Sequence, residues 1–133
     1  MIPYQNPSID VLGLRVDEPV TTFTDIIVAS IGIIAFLKTA SHHSNRHTLY
    51  YRWFFLLIGL STLIGGICGH AFAYRMGLNA KLPGWIFAIF AVGFAQFAAL
   101  NNSRPVIGEW FFYRLSVLCT IEICFALIYA SNC

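Results

Sequence analysis

Four apolar stretches separated by short polar segments constrain the fold of this chain more than any other feature. They cover about residues 22–38, 50–74, 83–100 and 111–130. Each is close to the length of about 20 residues that an α-helix needs to cross a bilayer. Because lipid offers the backbone no hydrogen bonds, each stretch is predicted to be an α-helix, and the alternating pattern of a membrane barrel is absent.

The amino-acid composition also indicates that lipid surrounds much of the chain. Of the 133 residues, 58% are hydrophobic and 11% are charged, whereas soluble domains carry about 25% charged residues. This balance excludes a soluble enzyme and a disordered chain. The net charge of +2 excludes a nucleic-acid-binding protein, which needs a strongly basic patch. The four cysteines lie in or beside apolar stretches and fit buried hydrophobic residues better than a disulfide framework.

The connections between the stretches predict how the helices are arranged. They are short and contain helix-breaking residues such as Gly77, Pro83 and Pro105, so neighbouring helices must run in opposite directions. The prediction is an all-α integral membrane protein with four antiparallel transmembrane helices in a bundle, over residues 21–133. Residues 1–20 are predicted to form an interfacial arm, since they lack the pattern of a signal peptide.

The distribution of lysine and arginine predicts the orientation of the chain. Five of these residues lie on the side of the first and third loops, and three lie on the opposite side. The positive-inside rule then places both termini on the non-cytoplasmic side. The sequence does not identify the membrane.

Polar residues near the start of the first helix are candidates for a functional interior. Glu18 and Pro19 suit a helix start, where acidic residues favour the positive end of the helix dipole. Asp25 lies about one turn inside the helix and is expected to face the bundle and find a partner. At 1.5 Å per residue, Asp25 and His70 lie about 20 Å and 27 Å from the loop that joins helices one and two. They are therefore predicted to lie toward the same membrane face, where they could pair.

The second apolar stretch carries a glycine-rich segment before and around His70. Gly65, Gly69 and Ala73 follow the small-residue spacing that lets another helix approach closely, and are predicted to pack against a partner helix or lipid. His70 is more often a hydrogen-bonded structural residue than a metal ligand at such a position. A zinc site needs three or four ligands, and the histidines of the first loop, His42, His43 and His47, give only a weak metal signal.

Two further polar residues lie within the last two predicted helices. Glu122 lies at about mid-membrane, where a carboxyl must be protonated, paired or exposed to a water-filled crevice. Gln96 on the third helix is a candidate hydrogen-bond partner for it. A proton or ion pathway through Glu122 is a further alternative.

The segment from Glu18 to Asp25 and the glycine-rich run ending in His70 resemble the alkaline ceramidase-like (CREST) superfamily of membrane hydrolases. They are also similar to a related group of uncharacterised multi-spanning proteins. The ceramidase-like resemblance implies a zinc-dependent lipid amidohydrolase in which His70 is a metal ligand together with two later histidines. This chain has Gly66 where that superfamily has a serine and four predicted helices where it has seven, and the resemblance covers about the first 75 residues.

Two functional interpretations follow. The first is a non-catalytic accessory or scaffold subunit of a larger membrane complex, or a lipid-binding protein, with membrane lipids and other membrane subunits as partners and no confident cofactor. The second is a ceramidase-like lipid amidohydrolase with an incomplete site and a possible zinc ion. The scarcity of polar side chains in the predicted spans favours the first.

Overall fold

A computed structural model describes residues 7–39 and 45–131 of the chain. It begins with an antiparallel hairpin of two strands, β1 (Ser8–Val11) and β2 (Leu14–Asp17). The two residues of the turn, Leu12 and Gly13, have φ angles of 55° and 82°, as in the tight turns whose twist matches that of paired strands. The predicted N-terminal arm therefore contains β-structure, which the all-α prediction does not include.

The remainder of the described chain is almost entirely helical. Its elements are α1 (Pro19–Thr39), α2 (Arg46–Ile64), a π-helix (Gly65–Ala71), α3 (Ala73–Met76), a 3₁₀ turn (Leu78–Lys81) and α4 (Leu82–Ser131). Three helical stretches are long and apolar enough to cross a membrane: Pro19–Thr39, Arg46–Ala71 and Asn79–Ser131. The prediction of a helical chain with several long apolar helices is confirmed.

The longest helix, α4, reverses direction at Gly108. This residue has φ 73° and ψ 163°, and it divides α4 into an N-terminal arm (82–107) and a C-terminal arm (109–131). Gln96 Nε2 lies 2.8 Å from Glu122 Oε2, although a straight helix would place these residues about 39 Å apart at 1.5 Å per residue. The arms therefore lie side by side, which gives four long helical segments in the described part of the chain.

Helix boundaries differ from the predicted ones in the third connection. The sequence predicts a loop over residues 101–110, but helix continues through this segment on both sides of Gly108. The Asn101 side chain donates a hydrogen bond to the Phe97 carbonyl within the helix, and Arg104 binds Glu109 across the reversal. Of these two contacts, the ion pair between Arg104 and Glu109 joins the two helix ends.

Small residues allow the helices to approach closely. A Cβ atom added to Gly32 of α1 would lie 2.8 Å from the Phe55 carbonyl oxygen of α2. Between α2 and α4, the Ser61 hydroxyl donates a hydrogen bond of 2.8 Å to the Gly84 carbonyl. Close backbone contacts of this kind are typical of helices that associate in lipid.

The distribution of side chains is the reverse of that in a water-soluble protein. The buried apolar residues of the described chain are all alanines, namely Ala29, Ala71, Ala91, Ala98 and Ala130. Large apolar side chains such as Phe23, Ile31 and Phe125 are exposed on the outer helix surfaces. Since a soluble protein of this size buries its large apolar side chains, the outer surface of these helices suits hydrocarbon.

Candidate functional site

Four ionisable side chains from different elements meet at the end of the molecule where α1 begins. We call Glu18, Asp25, His70 and Lys81 the polar cluster. Glu18 lies between β2 and α1, Asp25 in α1, His70 in the π-helix and Lys81 at the end of the 3₁₀ turn. The segment that carries His70 is a π-helix, and π-helical turns occur frequently at functional sites.

The His70 ring lies between two carboxylates. Its Nδ1 atom is 2.7 Å from Glu18 Oε2, and its Nε2 atom is 3.9 Å from Asp25 Oδ2. The structure thus brings together Asp25 and His70, the pair that helix depth alone predicts. Glu18 makes the shorter contact with His70. Its position at the helix start does not predict this contact from the sequence. Two carboxylates on opposite edges of an imidazole fix the orientation of its ring.

The backbone at Glu18 explains how its side chain reaches His70. Glu18 has a φ angle of 46°, which is rare for a residue other than glycine and is often found at functional sites. Its N–H donates a hydrogen bond of 2.8 Å to the Pro7 carbonyl, and its own carbonyl accepts a bond from the Thr22 N–H. The strand hairpin and the first turn of α1 therefore hold this conformation from both sides.

Gly66 lets α1 and the π-helix come together at the site. A Cβ atom at this position would lie 2.7 Å from the Cβ of Asp25. The Thr22 hydroxyl lies 3.4 Å from both the Gly66 and the Asp17 carbonyl oxygens. Close approach of the two helices therefore requires glycine at position 66, where the ceramidase-like superfamily has a serine.

The small residues predicted to form a packing face have separate surroundings. A Cβ atom at Gly65 would meet no atom within 4 Å, although the Gly65 backbone lies against Gly84 of α4. Gly69 lies under the aliphatic stem of Lys81, whose Cγ would be 3.2 Å from an added Cβ. Ala73 is half-buried at the start of α3. Gly65 and Gly69 thus lie against different elements, α4 and the 3₁₀ turn.

A cavity of about 370 Å³ lies beside the polar cluster. Its walls come from α1, α2, the π-helix, the 3₁₀ turn and the start of α4. They consist of Asp25, Ser61, Thr62, Gly65, Gly69, His70, Lys81, Gly84 and Trp85. An acidic and a basic side chain, Asp25 and Lys81, thus line the same cavity, together with hydroxyl groups and an aromatic ring.

The donors at His70 do not fit the zinc site that the resemblance implies. In residues 7–39 and 45–131, no three histidine, cysteine or acidic side chains are grouped to hold a metal ion. Glu18 and Asp25 face opposite edges of the His70 ring, so one ion cannot bind His70 together with both carboxylates. His42 and His43 of the first loop lie outside the described residues.

A second polar contact lies between the two arms of α4. Gln96 Nε2 donates a hydrogen bond of 2.8 Å to Glu122 Oε2, so the pair anticipated from the sequence is brought together. Both side chains line an apolar groove of about 270 Å³ that also contains Ala88 and Ala126. Glu122 is exposed on the outer surface of the C-terminal arm. A carboxyl group so placed is costly in lipid unless a partner covers it.

Comparison with known proteins identifies a family but no characterised relative. No curated protein and no solved structure matches the chain. A family of unknown function, DUF6962, matches residues 20–132. The match includes Asp25, His70 and Lys81 of the polar cluster and both arms of α4, and it begins after Glu18. Since it covers most of the chain, the protein belongs to the DUF6962 family.

Proposed function

We propose that this protein is a non-catalytic, four-span integral membrane protein that binds the polar headgroup of a lipid beside the polar cluster. The observation that carries the proposal is the cavity in which Asp25 and Lys81 present opposite charges at the end of the helices. Its volume of about 370 Å³ lies in the range of about 300–1,000 Å³ that is common for small-molecule sites.

The membrane topology in this proposal is an antiparallel bundle of α1, α2 with its π-helix, and the two arms of α4. Exposed large apolar side chains and a core of alanine and glycine support insertion in lipid. The excess of lysine and arginine near the first loop and the α4 reversal supports placing both termini on the non-cytoplasmic side. The polar cluster then lies near the non-cytoplasmic surface.

The charges around the cavity favour a zwitterionic headgroup that carries a phosphate and an amine. The Lys81 ammonium has no ion pair within 7–39 and 45–131, and it is available to a phosphate oxygen. Asp25 lies across the same cavity and can accept hydrogen bonds from a primary ammonium group. Trp85 supplies an aromatic ring of the kind that is enriched at headgroup level.

The test is lipid binding by purified protein in detergent, measured as the rise in unfolding temperature on adding phosphatidylethanolamine. We expect a rise for the unsubstituted protein that is reduced in Lys81→Met and in Asp25→Asn. Arg75→Met is the matched control, because Arg75 lies near Lys81 in the chain but does not line the cavity. Equal rises in Lys81→Met and Arg75→Met would overturn the proposal.

Comparing two lipids distinguishes recognition of the phosphate by Lys81 from recognition of the amine by Asp25. Phosphatidylglycerol has the phosphate without the amine, so it should bind less tightly than phosphatidylethanolamine in the unsubstituted protein. In Asp25→Asn the two lipids should bind alike. A preference for phosphatidylethanolamine that persists in Asp25→Asn would assign amine recognition to another residue.

A role as an accessory subunit of a larger membrane complex is favoured by a different observation, the exposed Glu122 on the C-terminal arm. This arm contacts the rest of the chain along one side and exposes its other sides. A photo-cross-linking side chain at Phe125 in native membranes should form a discrete protein adduct that is lost in Glu122→Leu. The same group at Ile31 of α1 is the control, and adducts with lipid alone at position 125 would contradict this role.

The ceramidase-like hydrolase is the alternative that the resemblance implies. Its test is metal analysis of the purified protein. Stoichiometric zinc that is lost in His70→Ala would favour the hydrolase and overturn the non-catalytic proposal.

A further inference from the structure

The N-terminal hairpin has one apolar face and one polar face. Side chains of directly paired residues point to the same side of a two-stranded sheet, as do those two positions apart on one strand. The register pairs Ile9 with Val16 and Val11 with Leu14, which places these four apolar residues on one face. The other face carries Ser8, Asp10, Arg15 and Asp17.

The apolar face of the hairpin is exposed, and the polar side chains of β2 contact the rest of the protein. Ser8 and Asp10, the polar-face residues of β1, are exposed as well. Asp17 is only 5% exposed, and it accepts a hydrogen bond of 2.8 Å from Arg15 Nε. The Arg15 guanidinium lies 5.4 Å from the centre of the Tyr74 ring. Ile9 and Leu14, in contrast, are each 49% exposed. A hairpin packed on a soluble domain would bury its apolar face against the core.

The tip of the hairpin is also apolar. Leu12 is fully exposed, at 100%, and has a φ angle of 55°, where asparagine or glycine is the usual residue. In water, the Leu12 side chain makes no apolar contact that would offset its backbone strain. Contact with hydrocarbon would supply an apolar contact.

The chain leads from the hairpin directly into exposed apolar residues of the first long helix. Val20 and Phe23, in the first turns of α1, are 76% and 64% exposed. They follow the hairpin directly in the chain and begin the outer surface that the proposed function places in lipid. The hairpin therefore lies at the level where that surface meets the headgroups.

We infer that the hairpin is an interfacial membrane anchor, with Leu12 and its apolar face inserted into the outer part of the bilayer. The inference rests on the membrane insertion in the proposed function and adds a lipid-contacting surface outside the helices. The occupant of this surface is the bilayer itself. Insertion there holds Glu18, the residue after β2, against His70.

Depth measurement with spin labels tests the inference. Leu12→Cys, Ser8→Cys and Ile31→Cys are each labelled in a protein whose own cysteines are replaced by alanine, and reconstituted in phosphatidylcholine vesicles. We expect the label at position 12 to collide with oxygen several-fold more often than with a water-soluble nickel complex. The label at position 8, on the polar face, should show the reverse preference.

The outcomes distinguish the membrane anchor from the membrane insertion on which it rests. A lipid signal at position 31 with a water signal at position 12 would overturn the anchor and leave membrane insertion intact. A water signal at both positions would overturn both. Low collision with both reagents at position 12 would mean that protein covers the tip, which also contradicts the anchor.

A second variant separates lipid contact from turn geometry. Leu12→Asn suits the positive φ angle, so the hairpin should keep its turn while losing its apolar tip. In vesicles we expect faster amide hydrogen exchange over residues 8–17 in this variant than in the unsubstituted protein. Unchanged or slower exchange would count against lipid contact at the tip.

Discussion

His70 is held by two carboxylates at different distances, and this difference predicts unequal energetic coupling. Glu18 lies at 2.7 Å and Asp25 at 3.9 Å from the two ring nitrogens. Groups in direct contact show coupling energies of about 0.5–3 kcal/mol. We expect the coupling between Glu18→Gln and His70→Ala to exceed that between Asp25→Asn and His70→Ala.

Double-mutant cycles on the free energy of unfolding in detergent measure both values. The control for effects without contact combines Asn45→Ala with His70→Ala. Asn45 precedes α2, whereas His70 lies beyond the other end of α2, in the π-helix. Additive effects in both test cycles would show that neither carboxylate stabilises the histidine.

Two adjacent glycines have opposite surroundings and give a matched pair of substitutions. An added Cβ at Gly66 would be 2.7 Å from the Cβ of Asp25, whereas at Gly65 it would meet nothing within 4 Å. Gly66→Ala should lower the free energy of unfolding by about 1–3 kcal/mol, the usual cost of overpacking. Gly65→Ala should leave it unchanged or raise it by up to about 1 kcal/mol, since alanine favours a helix over glycine.

Equal destabilisation by the two substitutions would contradict the contact at Gly66. Spacing rules in the sequence select Gly65 and Gly69, because they assume a regular α-helix. Gly66 lies against α1, whereas the Gly65 backbone lies against Gly84 of α4, and a spacing pattern does not say which neighbour each glycine meets. The sequence indicates Glu18 as a candidate, but its contact with His70 depends on a backbone conformation that no sequence pattern specifies.

At the scale of elements, the reversal within α4 depends on one residue and one ion pair. Gly108 has φ 73° and ψ 163°, a backbone region that is essentially restricted to glycine and costs a residue with a side chain about 1–3 kcal/mol. Gly108→Ala should therefore lower the free energy of unfolding by about that amount. Gly93→Ala is an unsuitable control because Ile123 occupies that space, so Gly65→Ala serves as the reference. An unchanged stability would contradict the strained turn.

The ion pair beside this reversal predicts a dependence on pH. The hydrogen bond from Arg104 lowers the pKa of Glu109 below its ordinary value of 4.5. A carboxyl whose pKa is lower in the folded state stabilises that state above the unfolded pKa, and the effect is lost as pH falls through the folded value. The reversal should therefore weaken below about pH 4.5, with a small effect because both side chains contact solvent.

Hydrogen exchange of residues 104–109 between pH 3 and pH 6, compared with Glu109→Gln, measures this effect. In Glu109→Gln, these amides should exchange at every pH as fast as they do in the unsubstituted protein when Glu109 is protonated. The same dependence of exchange on pH in both proteins would contradict the role of the ion pair. The sequence indicated a break between the last two apolar stretches from its asparagines and Pro105. It could not show that the break is a single residue, because Arg104 pairs with Glu109 only after the chain has reversed.

At the scale of the whole molecule, the exposed apolar surface and the charge distribution predict topology. Asn79 lies at the end of the bundle that holds the polar cluster, and Asn102 lies near the α4 reversal. In a protein whose own cysteines are replaced by alanine, a membrane-impermeant maleimide should label Asn79→Cys in intact cells and Asn102→Cys only after permeabilisation. The reverse result would invert the orientation, and labelling of both residues in intact cells would contradict a spanning bundle.

The number and approximate positions of the long helices could be predicted, since apolar length and charge depend on the sequence alone. The hairpin could not, because Ile9, Val11 and Leu14 alternate over only a few residues, and their exposure depends on how β2 meets α1. The cavity also could not be predicted. It forms where Asp25, Ser61 and Lys81 from three separate elements meet.

For the proposed membrane topology, the single-residue reversal at Gly108 also bears on how the chain is inserted during synthesis. The two arms are joined by a single residue, so no loop between them could stay on one side of the membrane while the second arm is synthesised. In the proposed topology, the 50 residues of α4 are expected to insert as one helical hairpin, with Gln96 facing Glu122. The carboxyl then meets its amide partner before it meets lipid.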